Sequence, residues 1–200
     1  MSIEKRQYRQ RARADQQKET RLRIVKATAE LHDEVGPART TVVEIARRAG
    51  VQRLTVYNNF PDESDLFEAC GAHWMAEHPL PDMASALAQV NPVERLRQVL
   101  SGLYGWYRAT RQSNEHLQRD RLLLPALDAV LSIRMDQQMA ALADQLAFGF
   151  QDARNPLVVR AAVALALDFW TWRRLSNEGM TDIGAASVMA NAVRAAAGPR

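Results

Sequence analysis

The residues best suited to chemistry lie between Thr40 and Phe60, in the stretch TTVVEIARRAGVQRLTVYNNF. That chemistry is non-covalent, because the guanidinium of Arg53 matches the acceptor pair of a guanine edge and the amides of Gln52 and Asn58 match adenine. Nearby hydroxyl and amide groups suit phosphate oxygens. The pattern indicates a surface that reads DNA. The candidate contacts in this part of the stretch are Gln52, Arg53, Leu54, Thr55, Tyr57, Asn58 and Asn59.

Two short helices and a tight turn are needed to present that surface. Thr40 and Thr41 offer hydroxyls that accept from the free amides of a first helical turn. Gly50 then ends the first helix, because glycine enters the left-handed conformation without a Cβ penalty, and the second helix begins at Gln52. The pattern predicts a helix-turn-helix, with an ordinary helical hairpin as the alternative. The apolar residues expected to face the core are Val42, Ile45, Ala46, Ala49, Val51, Val56 and Phe60.

Positive charge is concentrated in the N-terminal segment. Residues 1–26 contain nine Lys or Arg and three acidic residues, a net charge of +6, whereas residues 61–200 contain thirteen and sixteen, a net charge of −3. A basic segment of this kind suits a polyanion. Arg9, Arg11 and Arg13 alternate with Gln and Ala and have no apolar face, so we expect a basic arm, residues 1–16, that is disordered until DNA binds. The alternative is a solvated tail that aids solubility.

Composition restricts the class of protein. The chain has 200 residues with 47% hydrophobic content, enough for a substantial core, and its single cysteine, Cys70, excludes a disulfide framework. The N-terminus does not resemble a secretory signal, and no apolar run approaches the ~18 residues of a membrane span. We therefore expect a cytoplasmic protein with no membrane partner.

Helical periodicity covers nearly the whole chain and no segment is typical of a strand, so the predicted fold class is all-α. Two pairs, Asn91-Pro92 and Asn155-Pro156, have the cap-and-proline pattern of a helix start. A third helix start is expected at Pro61-Asp62. Besides the two helices of the turn motif, helices are predicted at residues 17–35, at 62–78, from 91 onward, at a further segment ending near 124, and at 125–150, 156–177 and 181–197.

Enzymatic chemistry has little support in the sequence. Among Cys70, His73 and His78, only the first two are one helical turn apart, so no metal site is predicted. Asp62 and Glu63 lie at a helix start, where they interact favourably with the helix dipole rather than act as a general acid. No glycine-rich phosphate loop or nucleophile elbow is found in the sequence. We expect no enzyme activity, no metal and no cofactor.

The sequence resembles bacterial transcriptional regulators of the TetR family, strongly over residues 17–77 and by architecture beyond them. The resemblance implies an all-helical homodimer. Its DNA-binding domain would be the three-helix head at residues 17–77, and residues 78–200 would bind a ligand and dimerise. It also implies a repressor that leaves a palindromic operator when a small molecule binds. The residues that carry the resemblance are Ile24, Ala27, Leu31, Gly36, Thr40, Thr41, Val42, Ile45, Ala46, Ala49, Gly50, Val51, Tyr57, Phe60, Pro61 and Leu66.

The resemblance also assigns roles within the DNA-binding surface. It implies that Thr41 touches a phosphate, that residues 52–59 form the recognition helix, and that Tyr57 packs on the DNA backbone. The predicted DNA contacts are Arg9, Arg11, Arg13, Thr40, Thr41, Arg47, Gln52, Arg53, Leu54, Thr55, Tyr57, Asn58 and Asn59.

Four residues depart from the family pattern. His32 stands where an aromatic residue is usual, so it is either satisfied within the core of the head or exposed on a rotated helix. Leu54 replaces a small residue and either contacts a thymine methyl or narrows the set of operators. Asn59 stands where a histidine is usual. Glu63 stands where a lysine is usual and removes a cation near the DNA backbone.

The C-terminal half is expected to hold an effector pocket and the dimer interface. Its aromatic content suits a largely apolar small molecule. The predicted pocket residues are Trp74, Leu103, Trp106, Tyr107, His116, Met135, Met139 and Phe169. The predicted interface residues, small or aromatic, are Ala162, Leu165, Phe169, Trp172, Ala186 and Ala190. Two alternatives stay open: a last helical hairpin packed only within its own chain, and a helical small-molecule binding protein whose basic arm binds another polyanion.

Overall fold

The structure is a computed structural model that describes the backbone of residues 3–198 and the side chains from residue 7 onward. Over that range it is helical without strands, which confirms the predicted all-α class. None of its described helices is long and apolar enough to cross a membrane. The helices are α1 (Ile3–Glu34), α2 (Val42–Ala49), α3 (Arg53–Asn59), α4 (Glu63–Glu77), α5 (Ala84–Leu87), α6 (Pro92–Ala109), α7 (Arg111–Asp120), α8 (Pro125–Leu131), α9 (Gln137–Phe148), α10 (Pro156–Leu167), α11 (Phe169–Asn177) and α12 (Asp182–Ala197).

The chain divides into two compact units. The head unit comprises Met1–His78 and Glu115–Val130, and the body unit comprises Pro79–Asn114 and Leu131–Arg200. The division at His78 lies next to the predicted end of the DNA-binding domain. The sequence did not predict that residues 115–130, which include most of α7 and nearly all of α8, group with the N-terminal helices.

The head unit is built around one apolar core shared by α1, α2, α3 and α4. Ile24 is fully buried and Val56 is 2% exposed, so the core reaches from the first helix to the third. Burying an aliphatic side chain of this size stabilises the fold by roughly 1.5–3 kcal/mol. The other core residues are Val25, Ala27, Ala29, Leu31, Ile45, Ala46, Ala49, Phe60, Leu66 and Cys70.

The body unit has its own core, formed mainly by α6, α9, α10, α11 and α12. Leu96, Leu100 and Tyr104 on α6 are fully buried there. Asp182, at the start of α12, accepts hydrogen bonds from Arg108 Nε (2.7 Å) and Trp172 Nε1 (3.0 Å). These bonds connect α6, α11 and α12 at one point.

The first helix is longer than predicted. It begins at Ile3 rather than at residue 17, so the segment predicted to be disordered is helical in the structure. Arg, Gln, Glu and Ala, which dominate that segment, all have high helix propensity, and propensity does not require an apolar face.

Two predicted long helices are interrupted. The predicted helix at 156–177 breaks at Asp168, whose carboxylate accepts a hydrogen bond from the Thr171 amide (2.8 Å) and so caps α11. The predicted helix at 125–150 contains a π-helical segment, Ser132–Asp136, between α8 and α9. In both cases an uninterrupted apolar periodicity concealed a local change of backbone geometry.

Candidate nucleic-acid interface

The turn between α2 and α3 has the predicted geometry. Thr41 caps α2, since its Oγ1 accepts from the Glu44 amide (3.3 Å) and a Glu44 carboxylate oxygen accepts from the Thr41 amide (3.2 Å). Gly50 ends α2 with a φ of 66°, in the left-handed region, and Gln52 is the N-cap of α3. These local features confirm the predicted turn after Gly50 and the start of a second helix at Gln52.

One side of α3 is exposed to solvent. Leu54 is 66% and Tyr57 is 55% exposed, and Arg53 and Asn58 are exposed beside them, whereas Val56 is buried. A spacing of one and four residues places these exposed side chains on one side of a helix. Arg53, Leu54, Tyr57 and Asn58 are termed the recognition face. They combine two groups of hydrogen-bond donors, an apolar side chain and a phenol.

Three other predicted contacts near α3 have different surroundings. Asn59 is half-buried, and its Nδ2 donates to the Thr55 carbonyl oxygen (2.7 Å), so its amide is already bonded within the helix. Thr55 is also half-buried. Gln52 is exposed and makes no capping bond with its side chain. Gln52 is therefore accessible to a base, whereas DNA contacts by Thr55 and Asn59 stay predictions.

Two of the predicted phosphate contacts near α2, Thr40 and Thr41, already make local hydrogen bonds with their hydroxyl groups. Thr40 Oγ1 donates to the Gly36 carbonyl oxygen (2.9 Å), and Thr41 Oγ1 is held in the capping box of α2. Arg47 is exposed in the last turn of α2. Its neighbour Arg48 instead donates to both carboxylate oxygens of Glu34 (2.6 and 2.7 Å) and ties α2 to α1.

Arg9, Arg11 and Arg13 are exposed along the N-terminal part of α1. A helix turns about 100° per residue, so Arg9 and Arg13 share one side and Arg11 projects from nearly the opposite side. A single DNA backbone can meet the first and third of these side chains together. The helical arm is therefore more selective in its contacts than the disordered arm expected from the sequence.

His32 has the first of its two predicted environments. Its ring is half-buried, its Nδ1 lies 3.6 Å from Cys70 Sγ, and its centroid lies 5.6 Å from that of Phe67. Burial lowers the pKa of His32 to about 4, although Asp120 opposes the shift. Burial also raises the pKa of the Cys70 thiol to about 12. The ring and the thiol are therefore both uncharged near neutral pH, and the thiol is a poor nucleophile.

The acidic residues Asp62 and Glu63 lie at the start of α4, as predicted. Asp62 is the N-cap, and its Oδ1 accepts from the Ser64 amide (2.8 Å). Glu63 is exposed in the first turn, where a negative charge interacts favourably with the helix dipole. His73, one of the three residues considered as metal ligands, lies 3.5 Å from the carboxylate of Glu77 on the same helix.

A set of polar contacts around the buried carboxylate of Asp120 joins the end of α7 to the end of α1 within the head unit. Asp120 Oδ2 accepts from the Ala38 amide (3.0 Å), and Arg119 Nε donates to Asp120 Oδ1 (2.5 Å). His116 Nδ1 donates to the His32 carbonyl oxygen (3.2 Å). Burial opposes ionisation of Asp120, but the hydrogen bonds from Arg119 and Ala38 hold the pKa of its carboxyl below the ordinary value. These five residues and Gly36 are termed the head junction.

Gly36 permits the close approach of α7. Its φ is 92°, and a Cβ at this position would lie 2.5 Å from both Arg119 Nη2 and Asp120 Oδ2. Glycine alone combines this backbone conformation with the missing volume. The sequence marked Gly36 as a helix stop, but nothing local in the sequence relates it to Asp120, and His116 was predicted to line a pocket rather than to contact the end of α1.

The predicted pocket residues are distributed over both units. Trp74 and His116 belong to the head unit, where the Trp74 ring stacks on His78 with centroids 4.4 Å apart. The other predicted pocket residues belong to the body unit. These are Leu103, Trp106, Tyr107, Met135, Met139 and Phe169.

Within the body unit, the predicted pocket residues are partly core. Leu103, Tyr107 and Phe169 are buried, and the Tyr107 and Phe169 rings meet edge to face at 5.3 Å. The Tyr107 hydroxyl donates to the Leu167 carbonyl oxygen (2.8 Å), next to the helix break at Asp168. Trp106, Met135 and Met139 are half-buried. Their role in a pocket stays a prediction.

The predicted interface residues differ in accessibility. Leu165 is 57% exposed and Ala162 is half-buried, so both remain accessible to a partner to different degrees. The other four residues are buried within the core of their own chain: Phe169, Trp172, Ala186 and Ala190, at 3%, 1%, 0% and 1% exposure. Large exposed apolar side chains on the same helices, such as Leu157 and Val188, were not predicted.

The fold is similar to that of several solved structures. A TetR-like transcriptional regulator from Rhodococcus sp. RHA1 is 21% identical, with a TM-score of 0.58 and coverage of 90% of this chain and 97% of that chain. A tetR-family transcriptional regulator from Streptomyces coelicolor is 20% identical, with a TM-score of 0.61 and coverage of 90% and 80%. RolR in complex with resorcinol is 19% identical, with a TM-score of 0.50 and coverage of 94% and 97%.

The capped α2, the turn at Gly50 and the recognition face form a helix-turn-helix, the motif expected from the sequence. Residues 24–70, which include all of these features, match the model for bacterial regulatory proteins of the tetR family. The match covers the N-terminal part of the chain that holds the helix-turn-helix, and the solved structures share the fold of most of the chain. No curated protein matches its sequence.

Proposed function

We propose that this protein is a TetR-family transcriptional regulator that binds a near-palindromic operator as a homodimer and represses transcription until an apolar small molecule releases it. The recognition face of α3 carries the proposal, because it presents base-reading side chains on an exposed helix after a capped turn. In the dimer, two such faces would enter successive major grooves about 34 Å apart. Arg53 would bond a guanine, Gln52 or Asn58 an adenine, and Leu54 would contact a thymine methyl.

Affinity in this proposal comes largely from phosphate contacts. The exposed Arg9 and Arg13 on one side of α1, with Arg47 on α2, supply cations, and Tyr57 packs on the backbone. Each phosphate neutralised makes binding steeper in salt, by close to one unit in a plot of log affinity against log salt concentration. Glu63, exposed at the start of α4, supplies no cation there. A protein that binds an operator would act in the cytoplasm, where the DNA is. Its role would be regulatory rather than enzymatic.

The dimer would be formed by exposed apolar residues of the last helices. Leu165 on α10, Trp170 on α11 and Val188 on α12 are between 44% and 57% exposed. Isolated exposed apolar residues are common, but several on neighbouring helices are typical of an interface. Two helices from each subunit would then form a four-helix bundle.

The dimer is tested by changing one exposed leucine. Leu165→Asp should convert a dimeric mass to a monomeric mass in light scattering at micromolar concentration, because it would bury a charge without a partner. Val90→Asp changes a side chain that is 90% exposed and outside these helices, so it should leave the mass unchanged. A monomeric mass for the unchanged protein would refute the dimer.

The effector would bind in the body unit, whose half-buried Trp106, Met135 and Met139 suit an apolar molecule. The similarity to RolR, solved with resorcinol bound, supports a small aromatic compound. The effect must reach α3 through chain segments that continue from the body unit into the head unit. One follows the end of α4, the second is α7, which ends in the head junction, and the third lies at the end of α8. A ligand releases DNA only by binding one conformation more tightly than the other.

The proposal is tested by selecting bound sequences from a random pool of duplex DNA with the full-length protein. A near-palindrome with half-sites one helical turn apart, bound more weakly as salt rises, is the expected result. A single unrepeated site would refute the dimeric arrangement. Retention of DNA with no enriched sequence would refute an operator and favour a polyanion-binding arm.

A further inference from the structure

Arg21 belongs to α1, but its guanidinium lies against the end of α3. Nη1 donates to the Asn59 carbonyl oxygen (2.5 Å), and Cζ lies 3.8 Å from the centroid of the Phe60 ring. Asn59 is the last residue of α3 and Phe60 is its C-cap. One side chain of the first helix therefore makes two different contacts with the C-terminal end of the third.

The C-terminal end of α3 is a favourable place for a cationic hydrogen-bond donor. A helix leaves its last four carbonyl groups without intrahelical donors and carries a partial negative charge there. The Thr55 carbonyl accepts from the Asn59 side chain (2.7 Å) and the Val56 carbonyl accepts from the Phe60 amide (2.9 Å). The last turn of α3 contains no basic residue of its own, so the cation at the Asn59 carbonyl is supplied by Arg21.

The orientation of α3 depends on contacts outside the helix. It has only seven residues, far fewer than the ~12–15 that an isolated helix needs to persist in water. Val56 is its one buried residue, and Gln52 makes no side-chain cap at the other end. Val56, Phe60 and the guanidinium stacked on Phe60 are therefore among the contacts that hold α3 and its recognition face in place.

We propose that Arg21 is a positioning residue for DNA reading, which fixes the C-terminal end of the recognition helix and so sharpens discrimination between operator and other DNA. The inference rests on the proposed role of α3 as the recognition helix. Arginine suits the task because its planar guanidinium stacks on a ring and donates from its edge at the same time. By position alone, Arg21 would count as one more phosphate-binding cation of α1.

Hydrogen exchange in the DNA-free, full-length protein tests the contact itself. In Arg21→Ala, the amides of residues 57–60 should exchange about tenfold faster than in the unchanged protein, because the end of α3 loses a charged hydrogen bond and a stacked partner. Arg23→Ala is the matched control. It removes the same charge two residues away, where the guanidinium donates to Thr20 Oγ1 (3.5 Å) and lies near Gly50 at the start of the turn rather than at the end of α3. Equal exchange in the two variants would overturn the proposal.

DNA binding then separates positioning from phosphate contact. The probes are the operator recovered from a random pool and an unrelated duplex of equal length, over a range of salt concentrations. Arg21→Ala should weaken operator binding about tenfold more than Arg23→Ala does, with equal binding of the two variants to unrelated DNA and equal salt slopes. Equal losses on both duplexes, with a salt slope smaller by about one, would show a phosphate contact and overturn the proposal.

Arg21→Lys keeps the test decisive if the alanine variant does not fold. It retains the charge but loses the stacked guanidinium, so unrelated DNA should bind as tightly as it binds the unchanged protein, whereas the operator should bind more weakly. Operator binding equal to that of the unchanged protein would show that charge alone matters and would overturn the proposal. If the random pool yields no preferred sequence, the proposed function fails, whereas the exchange experiment still reports whether Arg21 holds the end of α3.

Discussion

The recognition face and the head junction lie in the same unit and use similar polar side chains, but they differ in exposure. Arg53 and Asn58 of the recognition face are exposed in the DNA-free chain. Asp120 of the head junction is 1% exposed and is bonded to Arg119 and to the Ala38 amide. Polar groups that serve an external partner stay in water, whereas a desolvated carboxylate such as that of Asp120 must be bonded within the fold.

The two sites should therefore respond differently to mutation. A change in the recognition face should alter DNA binding and leave the free energy of unfolding nearly unchanged, since exposed substitutions are usually within ±0.5 kcal/mol. A change in the head junction should first lower stability. A recognition-face variant with much lower stability, or a head-junction variant of normal stability, would contradict this difference between the two sites.

The largest effect is expected for Asp120→Ala. It removes a buried carboxylate and leaves the Ala38 amide and the Arg119 guanidinium without their acceptor, so stability should fall by roughly 3 kcal/mol. Urea unfolding followed by circular dichroism measures the change. Asp144→Ala is the control, because that side chain is 68% exposed and its ion pair with Arg160 should contribute less than ~1 kcal/mol. Similar losses in the two variants would contradict the role of burial.

Gly36→Ala should have the next largest effect, a loss of roughly 2–3 kcal/mol. The added Cβ would be strained at a φ of 92° and would also collide with Asp120 Oδ2 at 2.5 Å. Gly179→Ala isolates the backbone part, because Gly179 has a φ of 81° and nothing within 4 Å of the added atom. The difference between the melting temperatures of the two variants measures the destabilisation caused by the collision with Arg119 and Asp120 of α7. No difference would mean that the approach is looser than the structure has it.

His32 should give the head a pH dependence. Its folded-state pKa of about 4 lies below the ordinary value of 6.5, so between these pH values His32 is protonated in the unfolded chain but not in the folded chain. Its contribution is therefore fully present above pH 6.5 and is lost as the pH falls through about 4, a loss of ~2 kcal/mol between pH 7.5 and pH 5. His32→Gln should show a correspondingly smaller fall in stability over this range. Parallel curves for the two proteins would exclude His32 as the source.

Local patterns predicted the helices and the turn that carry the recognition face, but not the head junction. The Thr41 cap, the Gly50 turn and the buried Val56 follow from residues a few positions apart, so sequence periodicity contains them. The bond between Ala38 and Asp120 joins residues 82 positions apart. Nothing in the neighbourhood of either residue indicates the other.

Three other features could not be predicted from sequence patterns. Arg21 looked like a member of a basic run, and only the fold places it at Asn59 and Phe60. The arm was predicted to be disordered because it lacks an apolar face, but α1 continues through it. The alanine and aromatic residues of the last helices suit an interface and a core equally well, and burial placed Trp172 in the core.

The most direct test of the central claim, that the recognition face reads base sequence, is the affinity of Arg53→Ala for the selected operator and for an unrelated duplex at the same salt concentration. We predict a loss of about 1.5 kcal/mol, roughly tenfold, on the operator and little change on the unrelated duplex, with unfolding unaffected. Equal losses on both duplexes would show that Arg53 contacts only phosphate, and would contradict the claim.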